Sequence, residues 1–162
     1  MNIFILHPEP IMAARMQCDK HLIKMILETA QLLCAVYPPG MAPYKRTHYN
    51  HPCARWTREC EANFRWLLVH GHGLCDEYTR RYGKHHKSEY VFYWVQEHIP
   101  ELPQIPMTPF AQAMPDQYKN PDDPVAAYRA YYKGEKARFA TWKAPAQAPS
   151  WFTGKGEDNG TL

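Results

Sequence analysis

The sequence predicts a mainly α fold: a compact single-domain helical bundle with a short N-terminal extended arm and a Pro-rich loop. Three observations carry that expectation. Hydrophobic residues make up 45% of 162 positions, enough for a packed core. Two long segments, Cys18 to Val36 and Cys53 to about Tyr82, place apolar residues at helical spacing. Six prolines fall between Pro100 and Pro121, where regular secondary structure is hard to sustain. The domain is expected to span 1–144, leaving 145–162 as a Pro- and Gly-rich, partly disordered tail.

Asn2 to Leu6 is an apolar run too short for a helix and stopped by Pro8 and Pro10, so it reads as a buried extended arm. A helix is expected to start near Pro10, because proline is tolerated in a first turn. Cys18 to Val36 holds neither Gly nor Pro and is apolar over most of its circumference, which suits a central helix. Residues 37–52 form a Pro- and Tyr-rich connection. The 53–82 segment reads as one amphipathic helix, with Gly71 and Gly73 weakening its middle and Gly83 closing it. Ser88 is the expected cap of a shorter helix through Val91, Trp94, Val95 and His98. Asp123-Pro124 starts another, which Gly134 interrupts, and a last helical piece is expected to reach Trp142.

Charge is modest overall, at +3, but unevenly spread. Residues 44–87 sum to +5 and contain six of the nine histidines, whereas 88–123 sum to −5. A concentrated basic stretch is compatible with phosphate contacts, although long helices also carry solvated Lys and Arg. The groups His48-His51-Cys53 and His70-His72-Cys75 match no familiar metal framework, and no metal or other cofactor is expected. Five cysteines without a CxxC pair favour a reducing, cytoplasmic compartment. No apolar run approaches the roughly 18–20 residues of a membrane span, and the first ten residues lack a basic n-region, so neither a span nor a secretory signal is expected.

One stripe breaks the apolar surface of the first long helix. Lys20, Lys24, Glu28 and Gln31 fall on one face, with His21 at its border. Glu28 has two readings. It is half of an i,i+4 pair with Lys24, worth about 0.2–0.5 kcal/mol, or it is a catalytic carboxylate facing a cleft.

The run Asp19-Lys20-His21-Leu22 followed by Glu28 resembles the first helix of the phage pyrimidine-dimer DNA glycosylases of the endonuclease V type. Leu6-His7-Pro8, Asn50-His51-Pro52 with Trp56, and Glu77-Tyr78 with Arg81-Tyr82-Gly83 resemble further elements of that family in the same order, over about residues 1–85. Leu27 and Gln31 stand where the phage enzyme has arginines. The resemblance implies a DNA base-excision enzyme, an N-glycosylase acting on damaged or modified bases in duplex DNA, with Glu28 as the catalytic carboxylate. It also implies an α-amine nucleophile that adds AP-lyase strand cleavage. Asn2 is too large for efficient removal of the initiator, so that amine belongs to Met1; Lys24 is the other candidate amine, and His21 completes the candidate set. Candidate DNA contacts are Lys45, Arg46, Asn50, His51, Arg80, Arg81, Lys84, His85 and Lys87, the last group rimming the cleft on the side of Glu28. The expected protein is a monomer in a bacterial or phage-infected cell. Two alternatives stay open: a nucleotide-level N-glycosidic or base-modifying enzyme, and a non-catalytic helical nucleic-acid-binding module. Salt separates them, because duplex binding weakens steeply with salt and nucleotide binding hardly responds.

Overall fold

The computed structural model describes residues 1–154. Seven α-helices make up the described chain: α1 (Pro10–Arg15), α2 (Asp19–Cys34), α3 (Pro52–Glu59), α4 (Glu61–Tyr82), α5 (Glu89–Gln96), α6 (Pro124–Tyr131) and α7 (Ser150–Thr153). There is no strand among the described residues, and no helix is long and apolar enough to cross a membrane. The mainly α bundle with its arm and Pro-rich loop is therefore what forms.

Helix α2 is the centre. Ten of its sixteen residues are buried, and α3, α4 and α5 pack around it. The arm runs into the same core, with Ile3, Ile5 and Leu6 fully buried. An extended arm without a partner strand must satisfy its peptide groups elsewhere. Side chains do this: Gln17 Nε2 donates to the Ile3 carbonyl (3.1 Å) and Arg129 Nε to that of Leu6 (2.9 Å). Phe4 holds a left-handed backbone (φ +62°), a conformation costing about 1–3 kcal/mol in a bulky residue. Its ring is locked in compensation, stacked on His21 at 4.1 Å with Tyr132 edge-on at 5.7 Å.

The expected single helix over 53–82 is two helices. Cys60 is fully extended (φ −159°, ψ 162°) and separates α3 from α4. Neither Gly nor Pro marks this break; its cause is long-range. The Pro-rich loop docks there, with Glu61 N donating to the Pro103 carbonyl (2.9 Å). Asn63, fully buried, bonds the Trp56 carbonyl (2.8 Å), Thr108 Oγ1 (2.7 Å) and Thr108 N (3.1 Å). The loop's Phe110 then packs on Trp56 and Trp66.

Gly71 and Gly73 do not break α4; they allow close approach. A Cβ on Gly71 would lie 2.2 Å from the Phe92 ring, and one on Gly73 3.2 Å from Ala14 Cβ. Gly71→Ala should therefore destabilise the fold by about 1–3 kcal/mol by overpacking. A denaturant midpoint equal to that of the parent would show that α5 swings away freely. Gly83 ends α4 in the left-handed conformation (φ +69°), as expected.

The C-terminal residues close the other side. Asp123 caps α6 through the Ala126 amide (3.0 Å). A π-helical turn, Tyr132–Lys136, comes next, where interruption by Gly134 is expected. Trp142 lies outside any helix, its Nε1 donating to the Met16 carbonyl (3.0 Å). The packed chain also extends past residue 144: Ala146 is buried, and Trp151 Nε1 donates to Met16 Sδ (3.4 Å). The remainder of the expected tail, 155–162, lies outside the described residues.

Candidate active site

A cavity of about 480 Å³ opens where the arm, α2, the start of α3 and the C-terminal segment meet. Met1, Lys24, His21 and Glu28, the candidate catalytic set, all line it together with His51, a candidate DNA contact. Glu28 is 8% exposed. Its Oε1 lies 3.6 Å from the Met1 α-amine and accepts the Asn2 backbone N–H at 3.2 Å. Its Oε2 is 3.6 Å from Lys24 Nζ. The i,i+4 pair and the cleft-facing carboxylate are thus the same residue in one arrangement.

Asn2 fixes the chain start. Its Nδ2 donates to the Ala113 carbonyl (2.7 Å), and its Oδ1 accepts from the Ile3 amide and the Tyr128 hydroxyl, both at 2.8 Å. Tyr128 is itself fully buried and accepts the Ala113 amide (3.1 Å). The position of the α-amine is therefore set by groups 111–126 residues away in sequence.

His21 Nδ1 meets the Tyr132 hydroxyl at 2.7 Å. Burial, reinforced by Lys136, Lys24 and Lys20, pushes its pKa down to about 3, so the ring is neutral at working pH. His51 Nδ1 accepts the Cys53 amide (3.0 Å) and caps α3. Burial first, and then the nearby α-amine, lower its pKa. The five cysteines are buried and unpaired, and burial drives the Cys53 thiol up to about 12, away from nucleophile chemistry. Among the described residues no three His, Cys, Asp or Glu side chains converge as a metal site.

Buried neutral histidines have a stability consequence. His70 is fully buried with a pKa near 4, lowered by burial, and His21 is near 3. Both folded-state values lie below the ordinary 6.5, so the stabilisation is complete above pH 6.5 and is lost as pH falls through the range beneath it. Each histidine should contribute a slope of about 1.4 kcal/mol per pH unit there. Urea midpoints at pH 7 and pH 5 test this; an unchanged midpoint would contradict it.

The expected DNA contacts divide. Lys45, Asn50, Lys84 and Lys87 are exposed. Arg46 lies over the Tyr49 ring at 4.1 Å and donates to the Tyr37 carbonyl (2.7 Å). Arg80 is held by Glu77 (2.7 Å) and His85 by Glu89 (2.8 Å). Arg81 does not reach the surface. At 3% exposure it binds Glu77 (2.7 Å), Asp19 (3.0 Å) and the Arg15 carbonyl (3.0 Å), tying α4 to α1 and α2. None of residues 80–87 lines the cavity; the turn rests on the flank of α2, with His86 against the Ile23 backbone. The cavity's other cations are Lys119 and Lys136, from the C-terminal half. Sequence reasoning misses both, along with Gln112 and Tyr131. The +3 charge of residues 124–162 is the only signal for Lys136, and Lys119, set in the acidic 88–123 stretch, has none.

No curated protein and no solved structure matches the chain. A family comparison does: residues 1–90 match the model described as pyrimidine dimer DNA glycosylase, a span that holds the arm, Glu28, His51 and the α4 core. That match covers more than half of the sequence and implies DNA as the substrate, and the chain belongs to the pyrimidine dimer DNA glycosylase family.

Proposed function

We propose that this cavity excises a damaged pyrimidine base from duplex DNA and then cleaves the strand, with the Met1 α-amine as nucleophile and Glu28 as the catalytic carboxylate. The observation that carries the reading is the 3.6 Å approach of the amine to Glu28 Oε1 inside a cavity. The amine lone pair attacks C1′, and the glycosidic bond breaks with its electron pair leaving on the base, which takes up a proton. Glu28 stabilises the oxocarbenium-like sugar during that step. The attached amine then loses a proton as the sugar ring opens to an imine. Loss of a 2′ proton expels the 3′ phosphate, and water releases the amine. As a class, α-amines titrate at roughly 7.7–8.0 and lysine amines near 10.4, so an α-amine is the better nucleophile at neutral pH.

A base must leave the stack to reach such a site. The cavity's Phe4 and Tyr131 rings offer apolar surface for it, and Lys24, Lys119 and Lys136 offset backbone charge. The test is incubation with duplexes carrying a pyrimidine dimer, other modified bases or none. Lesion-dependent base release and strand scission support the reading. Lack of both on every damaged duplex would overturn it.

A further inference from the structure

The C-terminal half lies outside the family match, yet it builds one wall of the cavity. Four cationic groups line the space, the Met1 amine, Lys24, Lys119 and Lys136, against one carboxylate, Glu28. Glu28 offsets the first two, each at 3.6 Å. Lys119 reaches Asp116 at 2.9 Å, but that carboxylate is 95% exposed and the pair is a weak, screened one. Lys136 has no carboxylate partner among the described residues. Its ammonium rests on aromatic faces, 4.8 Å from the Tyr131 centroid and 5.9 Å from that of Phe4.

The two lysines are brought together by construction. Tyr118, next to Lys119, seats its hydroxyl so close to Gly134 that a Cβ there would be 2.3 Å away, and its ring lies 5.5 Å from Tyr131. Gly134 sits in the π-turn that ends at Lys136. Such a turn adds a residue to the helical repeat and re-aims the side chains beyond it, a device frequent at functional sites. Here it directs Lys136 to the cavity instead of around α6.

We propose that Lys119 and Lys136 form a phosphodiester subsite that holds a DNA backbone phosphate beside the nucleotide being excised. This rests on the glycosylase reading above. Ammonium groups bind phosphate as point charges and position the backbone without reading sequence. With two cations unopposed by buried carboxylate, an anionic linkage is the chemistry the wall accepts.

The test uses the full chain and a duplex carrying a non-cleavable abasic analogue. Lys136→Gln and Lys119→Gln should each weaken binding roughly tenfold, and each should reduce the slope of log K against log salt by about 1. A neutral methylphosphonate walked through the linkages flanking the lesion should weaken the parent protein at one linkage and weaken Lys136→Gln clearly less there, since only Lys119 then remains to hold that phosphate. Lys133→Gln, exposed on the same turn but outside the cavity, should remain sensitive at that linkage. Unchanged salt slopes, or a methylphosphonate profile identical in Lys136→Gln and parent, would overturn the subsite alone. A parent that releases no base from damaged duplex overturns the glycosylase reading instead, and the subsite with it. Equal thermal midpoints confirm that both variants fold.

Discussion

Glu28→Gln should reduce base release by about 10²–10³ while leaving the fold in place, because a preorganised charge near the reacting carbon typically contributes that much. The substitution keeps volume and an oxygen able to accept the Asn2 N–H, which lies 3.2 Å away. What it removes is the negative charge facing the Met1 amine and Lys24. DNA binding should persist or strengthen, since the cavity becomes more positive. If the residue acted only as the partner of Lys24, the consequence would be small. That lysine is 67% exposed, and such an i,i+4 pair is worth about 0.2–0.5 kcal/mol. Base release and thermal midpoint, measured on this one variant, separate the two roles. Full activity with a slightly lowered midpoint would end the catalytic assignment.

The parts of the fold legible in the sequence are those whose cause is local. Helix α2 announces itself by a Gly- and Pro-free apolar run, Gly83 by the left-handed cap that glycine tolerates best, and α6 by Asp123 before Pro124. The break at Cys60 is not legible, because it is set by a loop more than forty residues downstream bonding Asn63 and Glu61. The site divides the same way. Glu28 stands out because a carboxylate on an apolar helix demands a reason. Lys119 and Lys136 look like any solvated lysine until Tyr118 and the π-turn place them at the cavity. Arg81 misleads in the opposite direction: an arginine in a basic stretch suggests phosphate, but two carboxylates and a carbonyl bury it. Composition cannot distinguish a cation that meets DNA from one that holds helices together.

Blocking the chain start should abolish the covalent intermediate altogether. Borohydride reduction during reaction with an abasic duplex traps an imine as a stable protein–DNA adduct, and the trapped peptide should contain Met1. Adding two residues ahead of Met1 converts the amine to an amide, which has no nucleophilic lone pair, and adds bulk at a buried point: the Met1 side chain is 2% exposed. Trapping and strand scission should then disappear, leaving at most base release by water assisted by Glu28. The competing amine is Lys24, equally near Glu28 but on the opposite carboxylate oxygen and largely solvated. Lys24→Gln should therefore retain trapping. Processing of the initiator does not remove the chemistry, because the Asn2 nitrogen lies 3.2 Å from Glu28 Oε1 and would present the new amine to the same carboxylate. Intact mass gives which of the two starts the mature chain. An extended protein that traps as efficiently as the parent, or an adduct mapped to Lys24, would refute the α-amine mechanism while leaving Glu28 to be judged on its own variant.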